Sequence, residues 1–217
     1  MEISRKSASR TPRSASLLAG VVLVVAIGLG ACSSGHSGMS GMGSSTTIGI
    51  PADADHNASD IGFAQGMIPH HAQALEMADL AMDNTSNPDV LALARQIEAA
   101  QSPEIEKLSG WLRQWGQEVP STAMGSMDHD MSGMDGMMMD GMMSQADMDR
   151  LEESTGTEFD RLWLELMIQH HEGAVKMSGT EVDGGKNPDA IALARSIITS
   201  QQAEISTMKG LLRTIQG

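Results

Sequence analysis

The chain has 217 residues, with 14 Lys and Arg against 28 Asp and Glu, and a formal net charge of -14 at pH 7. This length fits one domain with tails, and so acidic a surface disfavours binding to nucleic acid and favours cations as the counter-charge. A single Cys excludes an intramolecular disulfide framework and an all-cysteine zinc site. With two Phe, no Tyr and 19 Met, the core must be built from Leu, Ile, Ala and Met, which favours helices over a β-sandwich.

Residues 1–31 have the features of a bacterial lipoprotein signal peptide. Basic residues precede an apolar run from Leu17 to Leu29 that is too short to remain as a comfortable membrane span. The run ends in Leu29-Gly30-Ala31-Cys32, which resembles the lipoprotein box, in which the cysteine is lipidated and the bond before it is cut. We therefore expect an extracytoplasmic protein of the cell envelope, anchored to a membrane by lipid at Cys32. The alternative is an ordinary secretory signal with a chance Cys.

An internal repeat with a constant offset of 100 residues organises the rest of the chain. Met67-Ile68-Pro69-His70-His71 returns as Met167-Ile168-Gln169-His170-His171, and Asn87-Pro88-Asp89 returns as Asn187-Pro188-Asp189. Residues 60–116 and 160–216 share 22 identities in 57 ungapped positions. Each copy predicts a hairpin of two amphipathic helices that cannot bury its own apolar stripe. We therefore expect an all-α, ferritin-like four-helix bundle made of two repeated helical hairpins.

Helix start and stop signals divide the chain further. Ser59 and Asn87 are the predicted N-caps of the first copy, and Pro88 follows Asn87 at a position that favours helix initiation. The long helices are predicted at about 59–82, 87–115, 157–181 and 187–215, with a lesser helical turn at 145–153. The predicted organisation is a signal peptide at 1–31, a flexible tether at 32–58, hairpins at 59–117 and 150–217, and between them a methionine-rich connector at 118–149.

Polar side chains fall on the predicted interior of the bundle. At 100° per residue both His-His pairs face inward, and on the second helix of each copy a Gln and a Glu interrupt the apolar seam. A buried carboxylate without a partner costs several kcal/mol, so something must compensate it. One interpretation is a hydrogen-bonded polar layer in which each Glu pairs with a His. The other is a metal site built from inward-facing side chains, and the residues alone leave both open.

The connector contains ten Met, one His, six Asp and no Lys or Arg. Its glycines oppose a stable helix, and a disordered segment gains nothing from apolar side chains. Thioether sulfur is a soft ligand that suits Cu(I), and Asp can attract cations and help to hold Cu(II). We therefore predict copper handling, with Ag(I) at the same groups, and keep sacrificial oxidation of Met as the alternative. The predicted loop ligands are Met124, Met127, His129, Met131, Met134, Met137, Met138, Met139, Met142 and Met143.

The two motifs Met67-Ile68-Pro69-His70-His71 and Met167-Ile168-Gln169-His170-His171 resemble a bacterial domain-of-unknown-function family of secreted four-helix proteins. Some members of this family are periplasmic copper-binding proteins of the CopM type. The resemblance covers about residues 56–217 and implies a helical bundle, ligation of copper by Met and His, and a role in copper tolerance. Carried over residue by residue, it implies these metal ligands: His70, His71, His170, His171, Met67, Met77, Met167 and Met177.

Together these features predict a lipid-anchored copper-binding protein, and not an enzyme, that sequesters copper at the cell envelope or passes it to a partner protein. The residues predicted to orient the imidazoles are Gln101, Glu104, Gln201 and Glu204. The alternatives are a ferritin-like metal oxidase, disfavoured because neither copy has the Glu-x-x-His spacing, and a non-metal envelope module that binds a partner. Imidazole must be neutral to bind a metal, so sites in the bundle are expected to weaken as the pH falls through about 6.5.

Overall fold

The computed structural model describes residues 50–122 and 140–215. The signal peptide, Cys32, most of the tether and the predicted loop ligands between 124 and 139 lie outside the described residues. The described part of the chain contains five helices and no strand, so the all-α prediction is confirmed. The helices are α1 (Ala58–Asn84), α2 (Pro88–Gln114), α3 (Gln145–Glu153), α4 (Gly156–Gly184) and α5 (Pro188–Ile215). Among these five helices, none has both the length and the apolar character needed to cross a membrane.

Asparagine side chains begin three of the four long helices. The predicted cap at Asn87 is confirmed, since its side chain accepts a hydrogen bond from the backbone of Asp89, and Asn187 caps α5 in the same way. The prediction of Ser59 as the first N-cap is wrong. Asn57 caps α1 instead, because it forms a reciprocal capping box with Asp60 that satisfies backbone donors at the helix start.

The two hairpins pack against each other through their first helices. α1 packs on α2, α4 packs on α5, and α1 and α4 form the main contact between the hairpins. These two helices are antiparallel, because Ser59 at the start of α1 donates to Glu181 near the end of α4. Nearer the middle of the pair, Trp163 Nε1 donates to the Met77 carbonyl at 2.8 Å. The arrangement sets the His-His motif of α1 beside that of α4.

Two clusters of buried apolar side chains fill the bundle. One contains Phe159 and Trp163, together with Ala74–Ala81 side chains of α1 and Leu93 of α2. The other contains Phe63 and Leu108, together with Ala174 of α4 and residues of α5. Along α1 and α4 the two His-His motifs lie between these clusters, so a polar layer separates two apolar regions.

Candidate metal centre

The four histidines of the two motifs form one buried cluster at the contact between α1 and α4. The imidazoles of His70 and His170 meet there with ring centroids 3.8 Å apart, and each side chain is at most 1% exposed. The rings of His71 and His171 follow at 6.5 and 6.4 Å from their neighbours in sequence. We call His70 and His170 the inner pair and His71 and His171 the outer pair. Their inward orientation agrees with the helical spacing of the motifs.

The outer pair is bound to the carboxylates that interrupt the apolar seams. His71 Nε2 lies 2.7 Å from Glu104 Oε2, and His171 Nε2 lies 2.9 Å from Glu204 Oε2. Burial raises the pKa of Glu204, but hydrogen bonds from His171 and Gln96 outweigh it and hold the pKa below its usual value. The outer pair therefore forms a polar layer with the buried carboxylate of Glu204 and the partly buried carboxylate of Glu104.

The inner pair has no such partners. Neither ring nitrogen of His70 or His170 is hydrogen-bonded to any described residue. Burial, followed by the imidazoles of His71 and His171, lowers the pKa of His70 to about 3, and the Asp140 backbone opposes this shift through a contact that falls short of full hydrogen-bond geometry. Burial and then the neighbouring imidazoles also lower the pKa of His170. Both rings are thus neutral near pH 7 and each keeps a lone pair that can bind a metal, so any weakening of metal binding by protons is expected at a lower pH for this pair than 6.5.

Methionines flank the inner pair at two different distances. Met67 and Met167 are fully buried and precede the inner histidines by one helical turn. Met77 and Met177 follow them by seven residues, which corresponds to about 10 Å along a helix axis. Met77 is fully buried, whereas Met177 is only partly buried. The structure therefore places Met67 and Met167 next to the inner pair and the other two methionines about two turns away.

The four residues predicted to orient the imidazoles divide into two kinds. Glu104 and Glu204 contact the outer pair directly. Gln101 and Gln201 are each 2% exposed, and no described residue is hydrogen-bonded to either amide atom of Gln101 or to Oε1 of Gln201. These amides thus add unpartnered polar atoms to the interior without holding an imidazole.

The end of the connector crosses the same region of the bundle. We name residues Asp140–Met143 the strap. Gln73 of α1 donates to the Met143 carbonyl at 3.0 Å and accepts from the Met143 amide at 2.7 Å. At its other end the strap packs against Gly173 of α4, and Asp140 forms an ion pair with Lys176. Two predicted loop ligands, Met142 and Met143, belong to the strap, and Met143 is buried in the core.

Sequence reasoning missed Gln73 and Gly173 because it followed what the two copies share. These residues occupy equivalent positions of the repeat, 100 residues apart, and differ in type. Both follow an inner histidine by one turn. The change from Gln73 to Gly173 beside two otherwise matching His-His motifs is the sequence feature that could have identified them.

The donor set suits a soft ion better than a hard one. Among the described residues, no group of three or more His, Cys, Asp or Glu side chains is placed to hold a metal ion. The two Glu in the layer are already bound to the outer pair. What remains is a pair of imidazoles and two neighbouring thioethers, which match Cu(I) and Ag(I) and are poor ligands for Mg, Ca or Mn.

Comparisons with known proteins agree with this fold. The family model described as "Domain of unknown function (DUF305)" matches residues 60–212. A DUF305 protein from Streptomyces coelicolor, described as secreted, shares 34% identity over 73% of this chain and 94% of its own, with a TM-score of 0.64. A DUF305 fragment from Deinococcus radiodurans shares 32% identity over 73% of this chain and 97% of its own, with a TM-score of 0.62. CopM in the Cu(I)-bound form shares 31% identity over 73% of this chain and 98% of its own, with a TM-score of 0.58. No curated protein sequence matches the chain.

Proposed function

The chain belongs to the DUF305 family, and from this premise we propose that it is an extracytoplasmic protein that binds Cu(I) in its core and contributes to copper tolerance. The observation that carries the proposal is the inner pair. Its two imidazoles face each other in the interior, and no described residue is hydrogen-bonded to their nitrogens. CopM, similar over 98% of its own length, is described in Cu(I)-bound, Cu(II)-bound and Ag-bound forms, which supports extending copper binding to this chain.

The energetics of burial favour a bound ion at the inner pair. A buried polar atom left without a partner costs about 1–3 kcal/mol, and nearly all such atoms in folded proteins are paired. A soft cation would supply the missing partner for His70 and His170, and the buried sulfur atoms of Met67 and Met167 are its nearest thioether candidates. The carboxylates of Glu104 and Glu204, one imidazole farther out, would balance its positive charge.

The connector is proposed as the collecting segment. Its methionines between residues 124 and 139 offer thioethers, and its Asp residues attract cations. In this scheme the connector captures Cu(I) or Ag(I), its Asp residues help to hold Cu(II), and the core retains Cu(I) for sequestration or transfer to a partner protein. A signal peptide at 1–31 would direct the protein out of the cytoplasm, and a lipid at Cys32 would then hold it at the outer side of a membrane; the relative described as secreted supports that location.

We propose binding without catalysis. A dinuclear oxidase in a helical bundle uses several carboxylates together with histidines. In the described ranges, each Glu of the polar layer is hydrogen-bonded to a single outer imidazole, and no larger His and carboxylate group forms. The neutral donors of the core are more suited to holding a monovalent ion than to activating oxygen.

Anaerobic titration of the full chain with Cu(I), against a competing chelator, tests the proposal. We expect retention well below micromolar free Cu(I), and loss of the tightest site in the His70→Leu/His170→Leu protein. His56→Leu is the matched control, because His56 is also buried but stacks on Trp115 away from the cluster. Retention at micromolar or weaker levels, or equal retention in the double variant, would contradict the proposal.

Two further arms test the connector and the cellular role. Replacing the methionines of residues 124–139 with Ser should lower the number of ions bound while leaving the tightest site in place. An unchanged number of ions would remove the collecting role from the connector. In cells, replacing His70, His71, His170 and His171 should reduce copper tolerance, and intact tolerance would indicate a non-metal module instead.

A further inference from the structure

We propose that Gln73 and Gly173 are positioning residues that hold the strap over the inner pair, so that an ion enters and leaves the core only when the strap lifts. The identity of the ion rests on the proposed function. The closure itself is a property of the metal-free chain and can be tested without metal.

The positions of the two anchors fit a segment that crosses the inner pair. Gln73 and Gly173 each follow an inner histidine by three residues. Because α1 and α4 are antiparallel, the anchors lie on opposite sides of the His70 and His170 contact. The two anchors are therefore about 9 Å apart along the helix axes, the rise of three residues on each side of the contact. Asp140 and Gly141 touch Gly173, and the Met143 backbone is hydrogen-bonded to Gln73, so the strap runs from one anchor to the other.

Gln73 forms the anchor on α1. Its side chain is 1% exposed and makes two buried hydrogen bonds with the backbone of Met143, donating to the carbonyl and accepting from the amide. The Met143 side chain is itself buried in the apolar cluster that contains Trp163. The equivalent position in the second copy is Gly173, which has no side chain for such bonds. Only α1 can therefore hold this end of the strap.

Gly173 forms the anchor on α4 by allowing two backbones to touch. A Cβ atom on Gly173 would lie 2.7 Å from Gly141 Cα and would collide with the Asp140 carbonyl. Gly141 has a φ of +82°, and a Cβ atom there would lie 2.8 Å from Gly173 Cα. Both positions therefore require glycine, one for space and the other for space and backbone conformation.

The strap reaches the inner pair itself. It touches α4 on both sides of His170 in sequence, since a Cβ atom on Gly141 would lie 2.9 Å from the Gln169 carbonyl oxygen and 2.8 Å from Gly173 Cα. The side of α1 and α4 that carries the outer pair is covered by α2 and α5, since Glu104 and Glu204 belong to those helices. α3, which follows the strap directly, packs on α1 and α4 as well. The strap is thus the segment of the connector, within the described residues, that packs across α1 and α4 beside the inner pair.

Carbethoxylation of the metal-free full chain by diethyl pyrocarbonate, which modifies neutral imidazoles, tests the closure when followed by peptide mass spectrometry. Gln73→Leu and Gly173→Ala should each raise the modification rate of the inner pair by about tenfold, the change that a loss of one or two buried hydrogen bonds or an equivalent clash produces. Gly179→Ala is the matched control in α4, because a Cβ atom there meets nothing within 4 Å. Gln65→Leu is the control in α1, because Gln65 contacts the Glu118 backbone instead.

Rates at the inner pair equal to those of the two controls would overturn the proposal. An equal rise at the inner and outer pairs would overturn it too, because it would indicate general loosening of the bundle. Transfer of Cu(I) to a chelator provides a second readout: the strap variants should release and take up the ion faster by a similar factor, with little change in affinity. If the chain binds no copper, the proposed function fails, while the modification rates still decide the role of the strap.

Discussion

The imidazole of His70 lies against that of His170, with ring centroids 3.8 Å apart, and no described residue is hydrogen-bonded to either ring. The next residue along each helix, His71 or His171, is hydrogen-bonded to a Glu of the neighbouring helix. Adjacent residues of one motif therefore have different environments. The polar-layer interpretation applies to the outer pair, and the donors of the inner pair are the ones left for a metal.

The two pairs should differ in their effect on the stability of the metal-free protein. His71→Leu/His171→Leu should lower the free energy of unfolding by about 1–3 kcal/mol for each Glu left without its partner. His70→Leu/His170→Leu should leave it within about 1 kcal/mol of wild type or raise it, because two unpartnered imidazoles are replaced by apolar side chains. Urea unfolding of the metal-free proteins measures both values. A large loss for the inner variant, equal to that of the outer one, would show that the inner pair is structural.

Low pH should leave the inner pair neutral while the folded protein loses stability. Burial, and then the imidazoles of His71 and His171, lower the folded-state pKa of His70 to about 3, whereas a histidine of the unfolded chain takes up a proton near pH 6.5. The unfolded state thus binds more protons between these values, so this group contributes stability above about pH 6.5 that is lost as the pH falls towards 3. Proton NMR of the metal-free protein should show no titration of His70 between pH 8 and 5. A midpoint near 6.5 would contradict its placement in the interior.

A buried carboxyl pair at one end of the bundle should have the opposite pH dependence. Glu181 is fully buried beside Asp60, and its Oε2 accepts from Ser59 at 3.1 Å. Burial, and then Asp60, raise the pKa of Glu181 to about 8. Asp60 remains the anionic partner, because Glu181 and three backbone amides, those of Asn57, Lys186 and Asn187, outweigh its burial and lower its pKa. The pair therefore shares one proton near neutral pH.

Stability should fall as the pH rises, because Glu181 keeps its proton in the folded state to a higher pH than in the unfolded state. An unfolded Glu loses its proton near pH 4.5, so the contribution of Glu181 to stability falls as the pH rises from about 4.5 through 8. Urea unfolding should show wild type to be less stable at pH 9 than at pH 6, with a smaller difference in Glu181→Gln. Glu165→Gln is the control, because Glu165 is exposed and pairs only with Arg161 on its own helix among the described residues. The same pH dependence in wild type and Glu181→Gln would show that another group is responsible.

The repeat predicted most of the fold, because each copy carries its own helix signals. Asn87 and Pro88 mark the start of α2, and the inward side of α1 follows from spacing alone. Ser59 was the wrong cap because a reciprocal capping box between Asn57 and Asp60 places the N-cap two residues earlier. Asn and Ser both occur in loops as well as at N-caps, so the residue types alone could not decide between them. The approach of His70 to His170 could not be predicted, since it depends on α1 and α4 packing antiparallel with their motifs level.

The sequence pattern also could not predict that equivalent residues of the two copies have different surroundings near the four histidines. Gln73 and Gly173 acquire their roles from the strap, which is 30 to 70 residues away in the chain and contacts both helices. Met77 and Met177 are equivalent in the repeat, yet only Met77 is fully buried. Met77 is a buried member of the apolar cluster that contains Met143 of the strap, whereas Met177 is only a partly buried member of the other cluster.

Nitrogen NMR of the histidine side chains, recorded on the full chain before and after anaerobic addition of one equivalent of Cu(I), tests the core site most directly. We expect large shifts for one ring nitrogen of His70 and one of His170, while the Nε2 resonances of His71 and His171 keep the shifts set by their Glu partners. Unchanged inner-pair resonances, with all changes confined to methionine methyl groups, would contradict binding of copper in the core.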